Sequence, residues 1–523
     1  MKKKILALGM AAAMVFSLAA CGGGGNEAAS KDNSKLVIID SEWYGIDTYQ
    51  LDSSGGMQGM ASTPLFTWDS ETNEMVDGVC TDWTVSEDGK TATFNVPEGM
   101  YYSTGEQVEP EDIVASIEHG LEVSPYADGY SNITDMSIDG RQITLTLSQF
   151  RSDMLYYMCA DFMCIIDKDE LDSMTTEELM WGSHPYGPYY LASPEDYVSA
   201  TEVKLTKNEG YKTNNPLVEN QGAPYFDEVV IRFNVEDFTA IEDLKAGNVD
   251  FICSLSSDQK LELEEVEGVT LINTTYPNIE FFEMNEDSPV LSDINVRKAI
   301  VLLIDRDALC EPTEGAAVPA YSMIFDTVQN FSQEAKDYFM ENLANDPEEG
   351  QRLLKEAGWE DTDGDGYLDK DGQILEFTYY TRTDENIIPQ GLQNQLKEYG
   401  IKVNIESVDW NYIYEYINSD DYDTGIETMG WAEPMLVLNG CWYDQNATGN
   451  DDAYYAAVKD AAETIDSEER TKKVGDIQID IMFKNVNIIP LYSDVTYSAY
   501  NEQLQGVVVN NDGTMFVNDF KYE

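Results

Sequence analysis

Residues 375–408 restrict the fold of this chain more than any other stretch. Leu375–Tyr380 has the composition of a strand, Ile387–Tyr399 carries a helical pattern closed by Gly400, and Ile401–Val408 is again a strand. Two strands separated by one helix form a right-handed βαβ crossover, the unit of a parallel sheet. The same order recurs upstream, where strand Val229–Phe233, helix Ala240–Ala246 and strand Asp250–Cys253 follow one another. The chain is therefore expected to be an α/β protein.

Other segments fill in the pattern. Lys90–Val96 and Ile143–Leu147 alternate in period two after the turn signals Asp88-Gly89 and Asp139-Gly140, predicting hairpins. Between them Glu109-Pro110-Glu111-Asp112 opens a helix whose buried stripe is Ile113, Ile117 and Leu121. Asp293 caps a helix with Val296, Ile300 and Leu303 inward, and Asp346-Pro347 starts another. A helix from Ser467 to about Phe483 leads to strand-like Ile488–Tyr492, and the residues that follow must return to some earlier sheet.

The chain has 523 residues, 42% of them hydrophobic, enough for two to four domains at roughly 100–200 residues each. Its 98 acidic and 31 basic residues give a formal charge of −67. Such a surface repels phosphate backbones and anionic membranes, which argues against nucleic acid as a partner, and it keeps a secreted protein soluble. Two histidines, His119 and His184, leave little material for a Ser-His-Asp triad or a histidine-rich metal site.

Lys2, Lys3 and Lys4 precede an uncharged, mostly apolar run from Ile5 to Ala20, so residues 1–20 are expected to be a secretory signal peptide. Leu18-Ala19-Ala20-Cys21 resembles a bacterial lipobox, implying a diacylglycerol on Cys21 and a hold on the outer face of the cytoplasmic membrane. Residues 21–35, Gly-rich and then polar, form a flexible tether with a reach on the order of 20 Å. The remaining cysteines, Cys80, Cys159, Cys164, Cys253, Cys310 and Cys441, are too few for a disulfide scaffold and read as buried thiols.

A longer set of motifs appears in a fixed order. Pro64-Leu65-Phe66-Thr67 is followed by Asp82-Trp83 through Gly89 to Phe94, then Gly105-Glu106 and Asp112-Ile113. Tyr186-Gly187-Pro188-Tyr189, Lys207–Tyr211, Leu244–Asp250, Asn285 with Asp293–Arg306, Gly430-Trp431 and Ile489–Tyr492 complete it. On these residues the chain resembles the family 5 extracellular solute-binding proteins, the lipoprotein component of peptide-type ABC importers. The resemblance implies a two-lobed, periplasmic-binding-protein-like α/β fold of type II and the large cluster C type. Lobe I would comprise residues 36–283 and 484–523, with a subdomain at about 60–205, and lobe II residues 284–483. A monomer would hold a small solute, foremost a peptide, between the lobes, close by hinge motion and deliver it to a membrane permease. It would perform no catalysis and need no cofactor.

In peptide-binding relatives the tryptophan of the Gly-Trp motif lines the cleft, and an aspartate shortly after it pairs with the ligand's α-ammonium. Here Gly430-Trp431-Ala432-Glu433-Pro434 lacks that aspartate. Glu433 is either its substitute or a solvated loop acid, and the departure leaves an oligosaccharide or a metal chelate open as ligand. Trp43, Tyr44, Asn285, Trp442 and Tyr492 complete the candidate contacts; the aromatic faces suit peptide side chains or sugar rings.

Asp361, Asp363, Asp365 and Asp369 match positions 1, 3, 5 and 9 of a calcium loop, with Gly366 at position 6. Gly372 stands at position 12, where a bidentate glutamate is wanted, so the stretch is either a structural calcium site or an acidic turn without an ion. Arg297, Asp305 and Arg306 are expected to be structural charge pairs. No G-x-S-x-G, H-E-x-x-H or P-loop motif supports a secreted hydrolase, and a surface sensor that feeds no permease is a further alternative.

Overall fold

In a computed structural model of the protein the described residues are 32–51, 57–72, 74–160, 163–275, 277–382, 387–409, 412–413, 422–431, 433–443, 452–510 and 514–523. The expected signal peptide, Cys21 and most of the tether lie outside them. The crossover at 375–408 is present. Strands Glu376–Arg382 and Lys402–Val408 pair in parallel around helix Ile388–Glu398, which buries Leu392 and Leu396. Gly400 closes the helix at φ 79°, a left-handed conformation open to glycine at little cost. Strand Thr424–Met429 joins in parallel on the other side. Antiparallel Ile279–Met284, Ile488–Asp494 and Ala317–Pro319 complete a six-stranded sheet. Helix Ile294–Leu303, whose cap Asp293 accepts from the Asn295 N–H, and helix Pro347–Glu356 add Ile300, Leu303 and Leu354 to its core.

A second sheet, of eight strands, has Lys35–Ile39 at its centre, parallel to Glu228–Arg232 and Phe251–Ile252. Strand Tyr497–Asn501 enters it antiparallel, between Phe251–Ile252 and Val269–Asn273. That is the return to an early sheet which the terminal residues required. Between these elements the chain forms a four-stranded antiparallel sheet in the order Thr81–Val85, Thr91–Asn95, Gln142–Leu147, Ile133–Asp139. The sheet shares a core with Ile113 and Ile117 of helix Pro110–Val123, where the Glu109 N–H donates to Asp112 at 2.8 Å.

Residues 279–283 and 488–494, both expected in lobe I, are interior strands of the six-stranded sheet, so the chain changes sheets between Asn273 and Ile279 and again between Asp494 and Tyr497. Ile279–Met284 is buried at every position and Ile488–Asp494 at all but the last. A strand covered on both faces carries no alternation that would tell one sheet from the other.

The two crossings run side by side. The Thr274 N–H donates to the Thr496 carbonyl at 2.9 Å, the Thr496 N–H to Thr275 Oγ1 at 3.1 Å, and the hydroxyls of Thr274 and Ser498 lie 3.0 Å apart. Asn273 pairs with Tyr497, whose carbonyl accepts from Leu255 just beyond Phe251–Ile252; Ile279 pairs with Met429, the last residue of its strand. Both sheets therefore meet the crossings at the carboxyl ends of their parallel strands, where ligand sites of open α/β sheets form.

The expected charge pairs divide. Arg297 reaches Glu286 at 3.6 Å and donates to the carbonyls of Leu291 and Asn485. Arg306 forms no such pair among the described residues: it is buried, its Nε donates to the Pro490 carbonyl at 2.9 Å, and its guanidinium lies 4.8 Å from the Phe339 ring centroid. Cys80, Cys164 and Cys310 are buried thiols in no disulfide, whereas Cys253, also in none, is half-buried.

Candidate ligand site

Trp431 follows the carboxyl end of strand Thr424–Met429 and packs against two cores at once, that of its own sheet and that of the four-stranded sheet. Its ring meets Tyr126 edge-on, with centroids 5.7 Å apart at 76°, and Tyr156 at 6.2 Å and 79°. Tyr157 continues the cluster, 6.1 Å from Tyr126 and 5.6 Å from Tyr156. Tyr156 and Tyr157 belong to helix Asp153–Cys159, so the two halves of the molecule contribute facing rings to one seam. Each ring offers an apolar face, and each has a polar edge.

Glu433 is not a solvated loop acid. It is fully buried just before helix Pro434–Tyr443, its Oε2 accepting from the Leu436 N–H at 2.9 Å and its Oε1 from Ser152 Oγ at 3.4 Å. Burial pushes its carboxyl up to about 8; the charge of Asp153 adds to this, while the Leu436 N–H and Arg470 oppose it. Asp153 is itself buried, and burial raises it although the Arg151 guanidinium forks onto its carboxylate. Burial thus favours the protonated form of Glu433 over the carboxylate.

Arg382, which ends strand Glu376–Arg382, was not among the expected contacts. Its Nη1 donates to Thr428 Oγ1 at 3.1 Å and lies 3.3 Å from the buried Glu280, with Asp494 at 3.8 Å from Nη2. Thr428 Oγ1 in turn donates to Glu280 at 2.5 Å. Arg382 is thus held between Glu280 and Asp494 at the carboxyl end of its strand. Its one signal in the sequence is a basic residue closing a strand of an acid-rich chain.

The other expected contacts disperse. Trp43 has no exposure and belongs to the core of the eight-stranded sheet; Tyr492 is likewise core, in strand Ile488–Asp494. Tyr44 is 61% exposed, past the carboxyl end of Lys35–Ile39. Asn285 is a tie within lobe II, donating from Nδ2 to the Tyr422 carbonyl at 2.8 Å and accepting from the Asp287 N–H at 2.9 Å. Trp442 falls in helix Pro434–Tyr443, but its side chain, like Cys21, lies outside the described residues.

In the acidic loop Asp361, Asp363 and Asp369 bring one oxygen each within 4.8 Å of the others, and Asp365 is not in that group. The same carboxylates accept hydrogen bonds from their own loop. Asp361 accepts from the N–H groups of Gly364 and Gly366, Asp363 from that of Asp365, and Asp365 from that of Tyr367. Asp369 accepts from the N–H and hydroxyl of Thr362, which hold its carboxyl below the usual range. A second acidic group, Glu106 with Asp167 and Asp169, draws on two distant segments and leaves no pattern in the sequence.

Two α/β bodies joined by paired crossings, with an aromatic seam where they meet, define a two-lobed binding protein of the kind that closes on a solute. Residues 74–449 match the family described as bacterial extracellular solute-binding proteins, family 5 Middle, and the chain belongs to that family. It is 23% identical to the oligopeptide-binding protein AppA of Bacillus subtilis (strain 168) over 80% of this chain and 78% of that one. It is 22% identical to the dipeptide-binding protein of Escherichia coli (strain K12) over 88% and 89%. Its fold matches the crystal structure of NikA from Brucella suis in complex with Fe(III)-EDTA, with a TM-score of 0.79 at 18% identity, over 94% of this chain and all of that one (100%). Among the described residues no helix is long and apolar enough to cross a membrane.

Proposed function

We propose that this chain captures peptides in the seam beside Trp431 and delivers them to an ABC permease, altering no bond in its guest. One observation carries the reading: Trp431, just past the carboxyl end of a strand of the six-stranded sheet, also packs against the core of the four-stranded sheet in the other half. The names of its AppA and dipeptide-binding relatives support peptide as the ligand. The tyrosines and Trp431 cover the peptide's side chains. Lipid on Cys21 tethers the protein, a monomer, to the outer face of the membrane.

Native mass spectrometry of the purified protein, followed by calorimetric titration with dipeptides through nonapeptides, tests this. Co-purified peptides and their competition by added peptide support it. A metal chelate or an oligosaccharide retained in their place, with no peptide bound, overturns it.

A further inference from the structure

We propose that closing the two halves takes up one proton at Glu433, so that acidity favours the closed form and rising pH loosens it. Glu433 leaves the six-stranded sheet and meets Ser152 of the opposite half, Oγ to Oε1, at 3.4 Å, with no exposure of the carboxyl. The Ser152 N–H donates to the Ala462 carbonyl at 2.9 Å, so the same residue latches both halves together. Opening the seam returns Glu433 to water.

The charges around it explain why closure and ionisation conflict. From the first half Asp153 faces Glu433, with Tyr157 beside it, and Arg151 is spent on Asp153. From the second half comes Arg470 of helix Ser467–Ile477, with Asp466 acting on it. Its donors go elsewhere, Nε to Asn330 Oδ1 at 2.8 Å and Nη1 to the Thr464 carbonyl at 2.7 Å. No cation among the described residues hydrogen-bonds to Glu433, so its negative charge would sit buried against that of Asp153.

The closed form holds the carboxyl at about 8, against the ordinary glutamate value of 4.5 in water. A group raised on closing binds a proton in the closed form alone across that window. The closing constant then falls as pH rises above the ordinary glutamate value and levels off once Glu433 is ionised in the closed form as well. The inference rests on the hinge motion of the proposed function, and on no particular ligand.

Small-angle scattering of the ligand-free protein from pH 5 to pH 9 tests it, beside Glu433→Gln, which keeps the shape and cannot ionise. The native protein is expected to expand as pH rises and then hold steady, while the variant stays compact throughout. Infrared difference spectra at pH 7 are expected to show a protonated carboxyl band that Glu433→Gln lacks. Should that variant not fold, Asp153→Asn removes the facing charge and is expected to shrink the expansion. A radius of gyration that ignores pH, equal expansion in the variant, or no such band overturns the proposal. Failure of every peptide to bind in calorimetry would reject the ligand and leave these readouts unaffected.

Discussion

The indole of Trp431 and the phenol ring of Tyr126 meet edge to face at 5.7 Å, one from the segment after the six-stranded sheet, the other from the half that carries the four-stranded sheet. In the proposed site a solute would exchange that contact for its own. Trp431→Ala is expected to weaken peptide binding on the order of tenfold, the scale of one edge-to-face pair at about 0.5–1.5 kcal/mol. Calorimetry reads the affinity and circular dichroism the fold; unchanged affinity would remove Trp431 from the site.

Arg306 is a buried cation with one hydrogen bond to a carbonyl and aromatic rings for company. Arg306→Ala removes packing and is expected to cost about 2–5 kcal/mol in urea denaturation. Arg306→Met, which keeps most of the volume and discards the buried charge, is expected to cost less than about 1.5 kcal/mol or to stabilise. Equal losses in both variants would show that the charge itself holds the fold.

Asn285→Ala strands the Tyr422 carbonyl and the Asp287 N–H inside lobe II, and is expected to cost about 1–3 kcal/mol of stability. Peptide affinity should change little, since the side chain faces its own lobe. A large loss of affinity in a variant of normal melting temperature would restore Asn285 as a ligand contact.

His184 Nδ1 lies 2.7 Å from Glu170, whose hydrogen bond raises the imidazole above its ordinary value against the opposing effect of burial. A raised histidine stabilises most below its unfolded value, near 6.5, and loses that contribution as pH rises through the folded one. His184→Gln should therefore lower the melting temperature at pH 5.5 and much less at pH 8.5, an effect below about 1 kcal/mol for a partly exposed pair. A constant difference across that range would sink the assignment.

Because Gly372 stands where a calcium loop needs a bidentate glutamate, stripping divalent cations with a chelator is expected to leave the melting temperature unchanged. A drop reversed by calcium, and lost in Asp361→Asn, would show instead that the loop holds an ion.

What the sequence determined by itself was local. Glycine at 400, the caps at Asp293 and Asp346, and the two periodicities of residues 375–408 act within a turn or two of the chain, so the βαβ unit and most helices are readable one segment at a time. The ordered motifs added the family and the two-lobed architecture, and they singled out Trp431. Tertiary structure decided the rest. Ile279–Met284 and Ile488–Asp494 chose their sheet by partners that alternation does not encode. Glu433 became a buried acid with its carboxyl pushed up, and Trp43 a core residue, because desolvation depends on which distant elements close over a side chain. Arg382 gained its place from Thr428, Glu280 and Asp494, residues on three other strands. Short-range preferences are written in neighbours along the chain, whereas burial and field are set by neighbours in space.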